Sequence, residues 1–150
     1  MSESATDDPS EQFREYTEAV WNHGNVDAVD ELFAVDVVVH DVPIGETYDG
    51  RDEFVQWVHR VRESFPDFEV DMETIEFVVS DDRVVSQWTV SGTHEGPLSG
   101  FDVDPTGNTV EFSGVTVYRL DGTQVTEAWW YYDTLTYLGQ LGLVPEELPA

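Results

Sequence analysis

Apolar and polar residues alternate most regularly over residues 110–133, on either side of the pair Asp121-Gly122. An Asp-Gly pair between two alternating runs predicts a β-hairpin, because both positions of its two-residue turn need a positive φ. Pairing Leu120 with Thr123 sets the register, and alternate residues of the second strand then share a face. One predicted face carries Val125, Glu127, Trp129, Tyr131 and Asp133. The opposite face carries Thr126, Ala128, Trp130 and Tyr132.

Four stretches show the helical spacing of apolar residues. The first predicted helix begins at Asp8-Pro9, where an N-cap precedes a proline, and ends at His23-Gly24. Asn25 caps a short second helix, and a third spans residues 50–65 and stops before a proline. A last short helix ends at Gly142. The apolar faces expected for the first and third helices are Phe13, Tyr16, Thr17, Val20 and Trp21, and Phe54, Trp57, Val58, Val61 and Phe65.

Four further runs alternate with a period of two and predict strands over residues 36–42, 68–72, 75–79 and 83–94. The alternation changes phase near Glu73-Thr74, which predicts a bulge or a bend that curves the sheet. Helices followed by a meander of long strands make an α+β fold, in which a curved antiparallel sheet wraps around the N-terminal helices as a cone. We expect one domain over residues 8–150, after a disordered acidic tail of residues 1–7.

The charge of the chain is extreme. The 32 acidic residues outnumber six basic ones, all of them arginine, and the formal net charge at pH 7 is −26. Such a surface repels phosphate backbones and anionic bilayers, so we expect neither a nucleic acid nor a membrane as partner. The repulsion weakens at molar salt, where the Debye length falls to roughly 3 Å. The composition therefore predicts a halophilic protein whose stability increases with salt.

The sequence also limits the compartment and the chemistry. It contains no cysteine, which excludes disulfides, thiolate metal ligands and a cysteine nucleophile. No apolar run approaches the length of a membrane span, and the acidic N-terminus is unlike a secretory signal. We therefore expect a cytoplasmic protein.

Several short motifs follow one another along most of the chain. They are Trp21-Asn22, His40-Asp41, Gly50-Arg51-Asp52, Trp88, Gly92-Thr93-His94-Glu95-Gly96, Pro105-Thr106-Gly107, Asp121-Gly122, Glu127-Ala128-Trp129, Asp133 and Gln140-Leu141-Gly142. In order and spacing they resemble the SnoaL-like polyketide cyclase family, which has the nuclear transport factor 2-like fold. The resemblance implies a conical, cystatin-like α+β barrel with a small-molecule pocket and no cofactor. The family is functionally mixed, so the resemblance does not define a substrate.

The resemblance assigns the chemistry to Asp133. These cyclases use an aspartate at the end of the last long strand, after a Glu-x-Trp motif, as the acid/base of an intramolecular aldol closure. On the predicted face, Trp129 and Tyr131 flank this carboxylate, and partial desolvation would raise its pKa and its basicity. The alternative is structural: Asp133 precedes Thr134-Leu135 and can act only as the N-cap of the last helix.

Two histidines at predicted strand ends, His40 and His94, are candidate hydrogen-bond donors to a developing enolate oxygen. A surface position is the alternative for each. Together with Asp41 they could supply three metal ligands, but their spacing does not require a metal. We therefore expect no metal and no cofactor.

We expect an apolar pocket with a few polar groups, suited to a small, flat, oxygenated ligand. Its predicted substrate-binding residues are Trp88, Tyr118, Trp129, Tyr131 and Asp41. The leading hypothesis is a cyclase or isomerase that uses Asp133, with His40 and His94, on a polyketide-like ketone or ester. An epoxide hydrolase would need an arginine beside Asp133, which the sequence does not place there.

The second hypothesis is a ligand-binding or dimerisation module without catalysis. The outward aromatic pair Trp130 and Tyr132 predicts a homodimer formed through the sheet, because exposed apolar patches often mark protein interfaces.

Overall fold

The computed structural model describes residues 9–98 and 103–143. The predicted tail of residues 1–7 and the capping Asp8 lie outside this range. The described helices are α1 (Ser10–Thr17), continued by a π-helical turn (Glu18–Asn22), a 3-10 turn (Val26–Ala28), α2 (Val29–Leu32), α3 (Arg51–Ser64) and α4 (Thr134–Gln140). The strands are β1 (Phe33–Asp41), β2 (Glu46–Asp49), β3 (Glu69–Val70), β4 (Glu76–Val79), β5 (Arg83–Thr93), β6 (Thr109–Asp121) and β7 (Gln124–Tyr132).

The seven strands of the described residues form one curved sheet in the order β2-β1-β7-β6-β5-β3, and β4 also pairs with β5. The α+β fold expected from the sequence is confirmed. Neighbouring strands run antiparallel except β1 and β7, which are parallel. The expectation of a wholly antiparallel sheet is wrong at this pair, because a period-two pattern does not encode the direction of a neighbour that is distant in sequence. Within the described residues the sheet stays open.

The core lies between the inner face of the sheet and the helices. The apolar face predicted for the first helix is confirmed, since all five of its residues are buried. Its π-helical turn ends at Asn22, whose side chain hydrogen-bonds the backbone N–H of Val70 at 2.6 Å and the carbonyl of Val70 at 3.1 Å. This pairing fixes the helix to strand β3 and directs Trp21 toward the sheet.

A β-bulge in β7 decides which side chains of this strand face the core. Leu120 pairs with Val125 but Arg119 pairs with Glu127, which leaves Thr126 as an extra residue. One extra residue reverses the alternation of side chains that follows it. The inner face therefore carries Val125, Ala128, Trp130 and Tyr132. The outer face carries Glu127, Trp129 and Tyr131.

The predicted hairpin register is also wrong at the turn, which lies one residue later than predicted. Asp121 pairs with Gln124, so the two-residue turn is Gly122-Thr123, and Gly122 adopts the positive φ of 65°. The break predicted near Glu73-Thr74 lies in the turn between β3 and β4, which both pair with β5. No helix in the described part of the chain is long and apolar enough to cross a membrane.

Candidate active site

The curved sheet and the helices line a cavity of about 110 Å³. Aromatic side chains supply much of its wall, among them Trp21, Trp57, Trp88, Phe112, Trp130 and Tyr132. Among the described lining residues, Asp41 is the one with a carboxylate. A charged group in such apolar surroundings is costly unless it is hydrogen-bonded, so this residue is the first candidate for chemistry.

Gly114 of β6 makes room for part of this wall. A Cβ atom at Gly114 would lie 2.6 Å from the Trp88 ring and 2.7 Å from Cβ of Tyr132, closer than real side chains approach. The position therefore requires glycine for the two aromatic residues to lie over the strand. Gly114 pairs with Tyr132 across the two strands.

Asp41 is the last residue of β1, and its side chain points to the inner face, where it is only 3% exposed. The Tyr132 hydroxyl donates a hydrogen bond of 2.6 Å to one carboxylate oxygen, and the backbone N–H of Ile44 also donates to the carboxylate. Burial raises the pKa of Asp41 to about 6, and the nearby Glu46 reinforces this effect, whereas the two hydrogen bonds oppose it. At neutral pH the group is thus largely ionised and far more basic than an ordinary aspartate.

Two tyrosines lie near this carboxylate. Burial, with the charge of Asp41 as a further cause, raises the pKa of Tyr132 far above its usual value and that of Tyr137 to about 12. Both phenols therefore stay protonated at physiological pH. Tyr132 consequently acts as a hydrogen-bond donor to Asp41, and Tyr137 of α4 closes one side of the same cavity.

Asp133 lies outside the cavity. It follows the last residue of β7 and caps α4, because its carboxylate accepts hydrogen bonds from the Thr136 backbone N–H at 3.1 Å and from the Thr136 hydroxyl at 2.6 Å. The residue is exposed, and these hydrogen bonds lower its pKa. The expected desolvation between Trp129 and Tyr131 is wrong, because the bulge turns both aromatics to the outer face. The geometry supports the capping alternative.

His40 lies on the outer face of the sheet, since it precedes the inward-facing Asp41. Its Nε2 atom is 2.7 Å from the Glu127 carboxylate, and its ring stacks on Trp129 with centroids 5.5 Å apart. Thr47 lies 3.3 Å from Nδ1. The imidazole therefore belongs to an outer cluster with Glu127 and Trp129, and the expectation that it faces the pocket is wrong.

His94 is fully buried just beyond β5, so a surface position is also wrong for this histidine. It packs against Phe65 with ring centroids 5.7 Å apart, and Phe65 in turn lines the cavity. The backbone N–H of Thr106 donates to its Nδ1 atom at 3.1 Å. With Nδ1 as an acceptor, the imidazole carries its proton on Nε2, and the ring joins the strand end to the loop that returns to β6.

The structure divides the other predicted binding residues between two faces. Trp88 and Tyr118 line the same cavity as Asp41. Trp129 lies outside, under the Arg119 guanidinium at 5.7 Å, and Tyr131 is 43% exposed on the same outer face. Sequence reasoning placed Trp130 and Tyr132 outside because nothing in the alternation marks the bulge. The helical spacing of Trp21 and Trp57 was the available signal for two further lining residues.

The three side chains considered as metal ligands do not converge. His40 lies on the outer face, Asp41 in the cavity wall, and His94 behind Phe65. In residues 9–98 and 103–143, no three His, Cys, Asp or Glu side chains form a group that could hold a metal ion.

A sequence profile of the family described as SnoaL-like polyketide cyclase matches residues 11–141. The chain belongs to this family. A candidate polyketide cyclase from Acidithiobacillus ferrooxidans is 32% identical, with a TM-score of 0.72 over 88% of this chain and 92% of that one. IdmH, a candidate polyketide cyclase from Streptomyces antibioticus, is 26% identical, with a TM-score of 0.71 over 89% and 98%.

TsrD from Streptomyces laurentii, at 20% identity, shares the fold, with a TM-score of 0.76 over 90% of this chain and 96% of its own. No curated protein matches the sequence. The resemblance noted in the sequence is thus confirmed, and the family fold suggests a cyclase or isomerase role with a small-molecule ligand.

Proposed function

We propose that this SnoaL-like protein is a cofactor-free cyclase or isomerase in which Asp41, rather than Asp133, moves a proton on a ketone or an ester. The observation that carries the proposal is the 3% exposed Asp41 carboxylate in the wall of an aromatic cavity, with a pKa raised to about 6. A base with a pKa near the operating pH is the form that general acid/base catalysis favours.

The chemistry needs no co-reactant. Asp41 takes a proton from the carbon beside a carbonyl group, and the electron pair of that C–H bond forms an enolate. In a cyclisation, the enolate carbon attacks a second carbonyl carbon of the same molecule, and the resulting alkoxide takes up a proton from Asp41. In an isomerisation, Asp41 returns the proton to a different carbon. Either way the carboxylate ends in its starting form, and all atoms of the substrate are retained.

The protein prepares Asp41 for this role by restricting water. Tyr132 holds one carboxylate oxygen at 2.6 Å and so fixes its direction, while the aromatic walls offer flat surfaces on which a ring can stack. Tyr132 is a positioning residue in this mechanism, because its proton is engaged by Asp41.

A ligand-binding module without catalysis is the second candidate function. The observation that favours it is that Asp41 already accepts hydrogen bonds from Tyr132 and from the Ile44 backbone, which would satisfy a carboxylate with a purely structural role. In that case the cavity would bind its ligand and release it unchanged.

Deuterium exchange separates the two functions before the natural substrate is known. β-Keto esters and aryl ketones are incubated with the protein in heavy water, and incorporation of deuterium at the carbon beside the carbonyl is followed by NMR. We expect Asp41→Asn to slow the protein-dependent exchange by roughly 10²–10⁴-fold, because an amide is not a base. Asp133→Asn is the matched control, since it makes the same chemical change at the cap of α4 and should leave the exchange rate unaltered.

The results have distinct meanings. Equal exchange by wild type and Asp41→Asn would remove Asp41 from the mechanism. Binding of these compounds without any exchange would favour the ligand-binding module. Under the proposed mechanism, the exchange rate should rise with pH through about 6 and level off above it, as ionisation of Asp41 becomes complete.

We also propose that the protein forms a homodimer. Its interface includes the outer residues Trp129 and Tyr131, in place of the pair expected from the sequence. Support comes from Tyr131, which is 43% exposed beside Trp129 on the outer face, whereas Trp130 and Tyr132 are directed into the core and cavity. Light scattering at high KCl concentration should report twice the mass of the 17.0 kDa chain, and Tyr131→Glu should halve it. A monomeric wild-type protein under those conditions would exclude the dimer.

A further inference from the structure

The register of the sheet places a second polar group level with Asp41. Asp41 of β1 is paired with Trp130 of β7, Trp130 with Thr116 of β6, and Thr116 with Ser86 of β5. All four side chains are buried and line the cavity. One cross-strand row therefore runs along the cavity wall from a carboxylate at one end to two hydroxyl groups at the other.

The spacing of this row sets a length for the ligand. Neighbouring strands lie about 4.8 Å apart, so Thr116 is on the order of 10 Å from Asp41 along the sheet. The indole of Trp130 lies between them. This span suits one aromatic ring with a polar substituent at each end, and the aromatic lining of the cavity offers surfaces on which such a ring can stack.

The hydroxyl of Thr116 is held in a defined orientation. The indole Nε1–H of Trp88 donates a hydrogen bond of 2.9 Å to its Oγ1 atom. That bond uses one lone pair of the hydroxyl oxygen, and the hydroxyl proton is donated to Tyr118, because the Thr116 hydrogen bond lowers the pKa of Tyr118. The second lone pair of Thr116 remains, so Thr116 can accept a hydrogen bond from a hydroxyl group of the ligand.

The described residues that hydrogen-bond Tyr118 beside Thr116 carry hydroxyl groups. Ser86 and Thr116 hydrogen-bond Tyr118, and burial raises the pKa of Tyr118 well above its usual value. Tyr16 also hydrogen-bonds Tyr118, and its own pKa is raised by burial. This end of the cavity is thus neutral at physiological pH, so it suits an uncharged oxygen of the ligand better than an ion.

We propose that Thr116 determines the specificity of the cavity, and that its substrates are aryl ketones or aryl keto esters with a hydroxyl group on the far side of the ring. The acyl group lies at Asp41, the ring lies along Trp130, and the far oxygen hydrogen-bonds Thr116. This assignment rests on the proposed function, because that function places the acyl group at Asp41.

Two probe ligands that differ by one oxygen test the assignment. 4-Hydroxyacetophenone carries the far oxygen, and acetophenone lacks it. Their affinities are measured by calorimetry for the wild type, for Thr116→Val, which removes the hydroxyl with little change of shape, and for Thr116→Ser, which keeps it. We expect Thr116→Val to weaken 4-hydroxyacetophenone about 10-fold, the effect of one hydrogen bond in a dry site, and to leave acetophenone nearly unchanged. Thr116→Ser should bind 4-hydroxyacetophenone more tightly than acetophenone, as the wild type does.

Three results would overturn the assignment: equal weakening of both ligands by Thr116→Val, no effect on either, or a wild-type protein that binds the two equally or not at all. Thr116→Val removes the hydrogen-bond acceptor of Trp88 and so can fail to fold. In that case the affinities of the wild type for 4-hydroxyacetophenone and acetophenone still decide the question. The readout is also independent of turnover. If the wild type exchanges no deuterium but shows the expected oxygen preference, the proposed catalysis fails and the ligand class stands.

Discussion

Of the two parallel neighbours, β1 ends at an aspartate and β7 is followed directly by one, and the two carboxylates have opposite properties. Asp41 is the last residue of its strand, is almost fully buried, and has a raised pKa. Asp133 is the first residue beyond its strand, is exposed, and has a lowered pKa. The candidate base and the helix cap thus differ by one residue in their position relative to the end of a strand.

The difference lies in what replaces water around each carboxylate. At Asp133 the donors are the Thr136 backbone N–H and hydroxyl, which stabilise the charged form. At Asp41 the apolar cavity destabilises the charged form more than Tyr132 and Ile44 stabilise it. Motif position alone does not separate these cases, because both residues follow aromatic or apolar runs in the sequence.

The largest expected effect on stability is at Asp41. Its folded pKa of about 6 exceeds the ordinary value of 3.8, so the folded state binds more protons than the unfolded chain between these values, and stability falls as pH rises through this window. Ionising the buried carboxylate costs on the order of 3 kcal/mol. Asp41→Asn should therefore raise the free energy of unfolding by up to about that amount near pH 8, and by almost nothing near pH 3.

Chemical denaturation at both pH values measures this difference. Asp133→Asn is again the control: its pKa is lowered in the folded state, so its charge contributes stability at neutral pH that is lost as pH falls, and removing the charge should not stabilise the protein. A loss of stability in Asp41→Asn near neutral pH would show that the Asp41 charge is not strained in the folded protein.

The next effect is on the pKa of Asp41 itself. Tyr132→Phe removes the hydrogen bond that opposes the effect of burial, so the pKa of Asp41 should rise above 6. The expected rise is about 1–2 pH units, because the lost hydrogen bond is one to a charged group. The midpoint of the pH dependence of deuterium exchange should move to the same extent. Tyr137→Phe is the control, because Asp41 acts on Tyr137 through its charge and not through a hydrogen bond. An unchanged midpoint in Tyr132→Phe would contradict the positioning role of Tyr132.

A smaller effect is expected at the cap of α4. Asp133→Ala leaves the Thr136 N–H without its acceptor and should lower the Tm by about 2–4 °C, whereas Asp133→Asn should change it little. Amide hydrogen exchange should increase in the first turn of α4, because the rest of this helix is still held by the buried Tyr137 and by Gln140, which hydrogen-bonds the backbone of Glu111. A collapse of activity in Asp133→Asn at unchanged stability would return the acid/base role to Asp133.

The smallest effect concerns salt. Raising KCl toward molar levels should increase the Tm, because screening weakens the repulsion among 26 excess negative charges. The stability gained through Asp41→Asn should be the same at low and at high KCl, since its cause is burial. If that gain disappears at high KCl, its cause is repulsion from the surface charges and not desolvation of the Asp41 carboxylate. A Tm independent of KCl would contradict the halophilic interpretation.

Local pattern was enough to predict much of the fold. Phe13, Tyr16 and Trp21 are buried because helical spacing places them on one face, and that spacing is a property of the sequence alone. The ordered motifs likewise identified the family. Which strands lie next to each other in the sheet, by contrast, depends on pairing between segments that are distant in sequence. For example, β1 and β7 are joined only in the folded sheet.

The sequence by itself determined the helices, most strands, the α+β class and the family. Only the tertiary structure decided which carboxylate faces the cavity, because one extra residue at Thr126 reverses the faces of β7, and because Asp41 and Tyr132, 91 positions apart, meet through the pairing of β1 with β7. A bulge leaves no mark in the alternation of apolar residues when both faces of a strand are rich in aromatic side chains, and here both are.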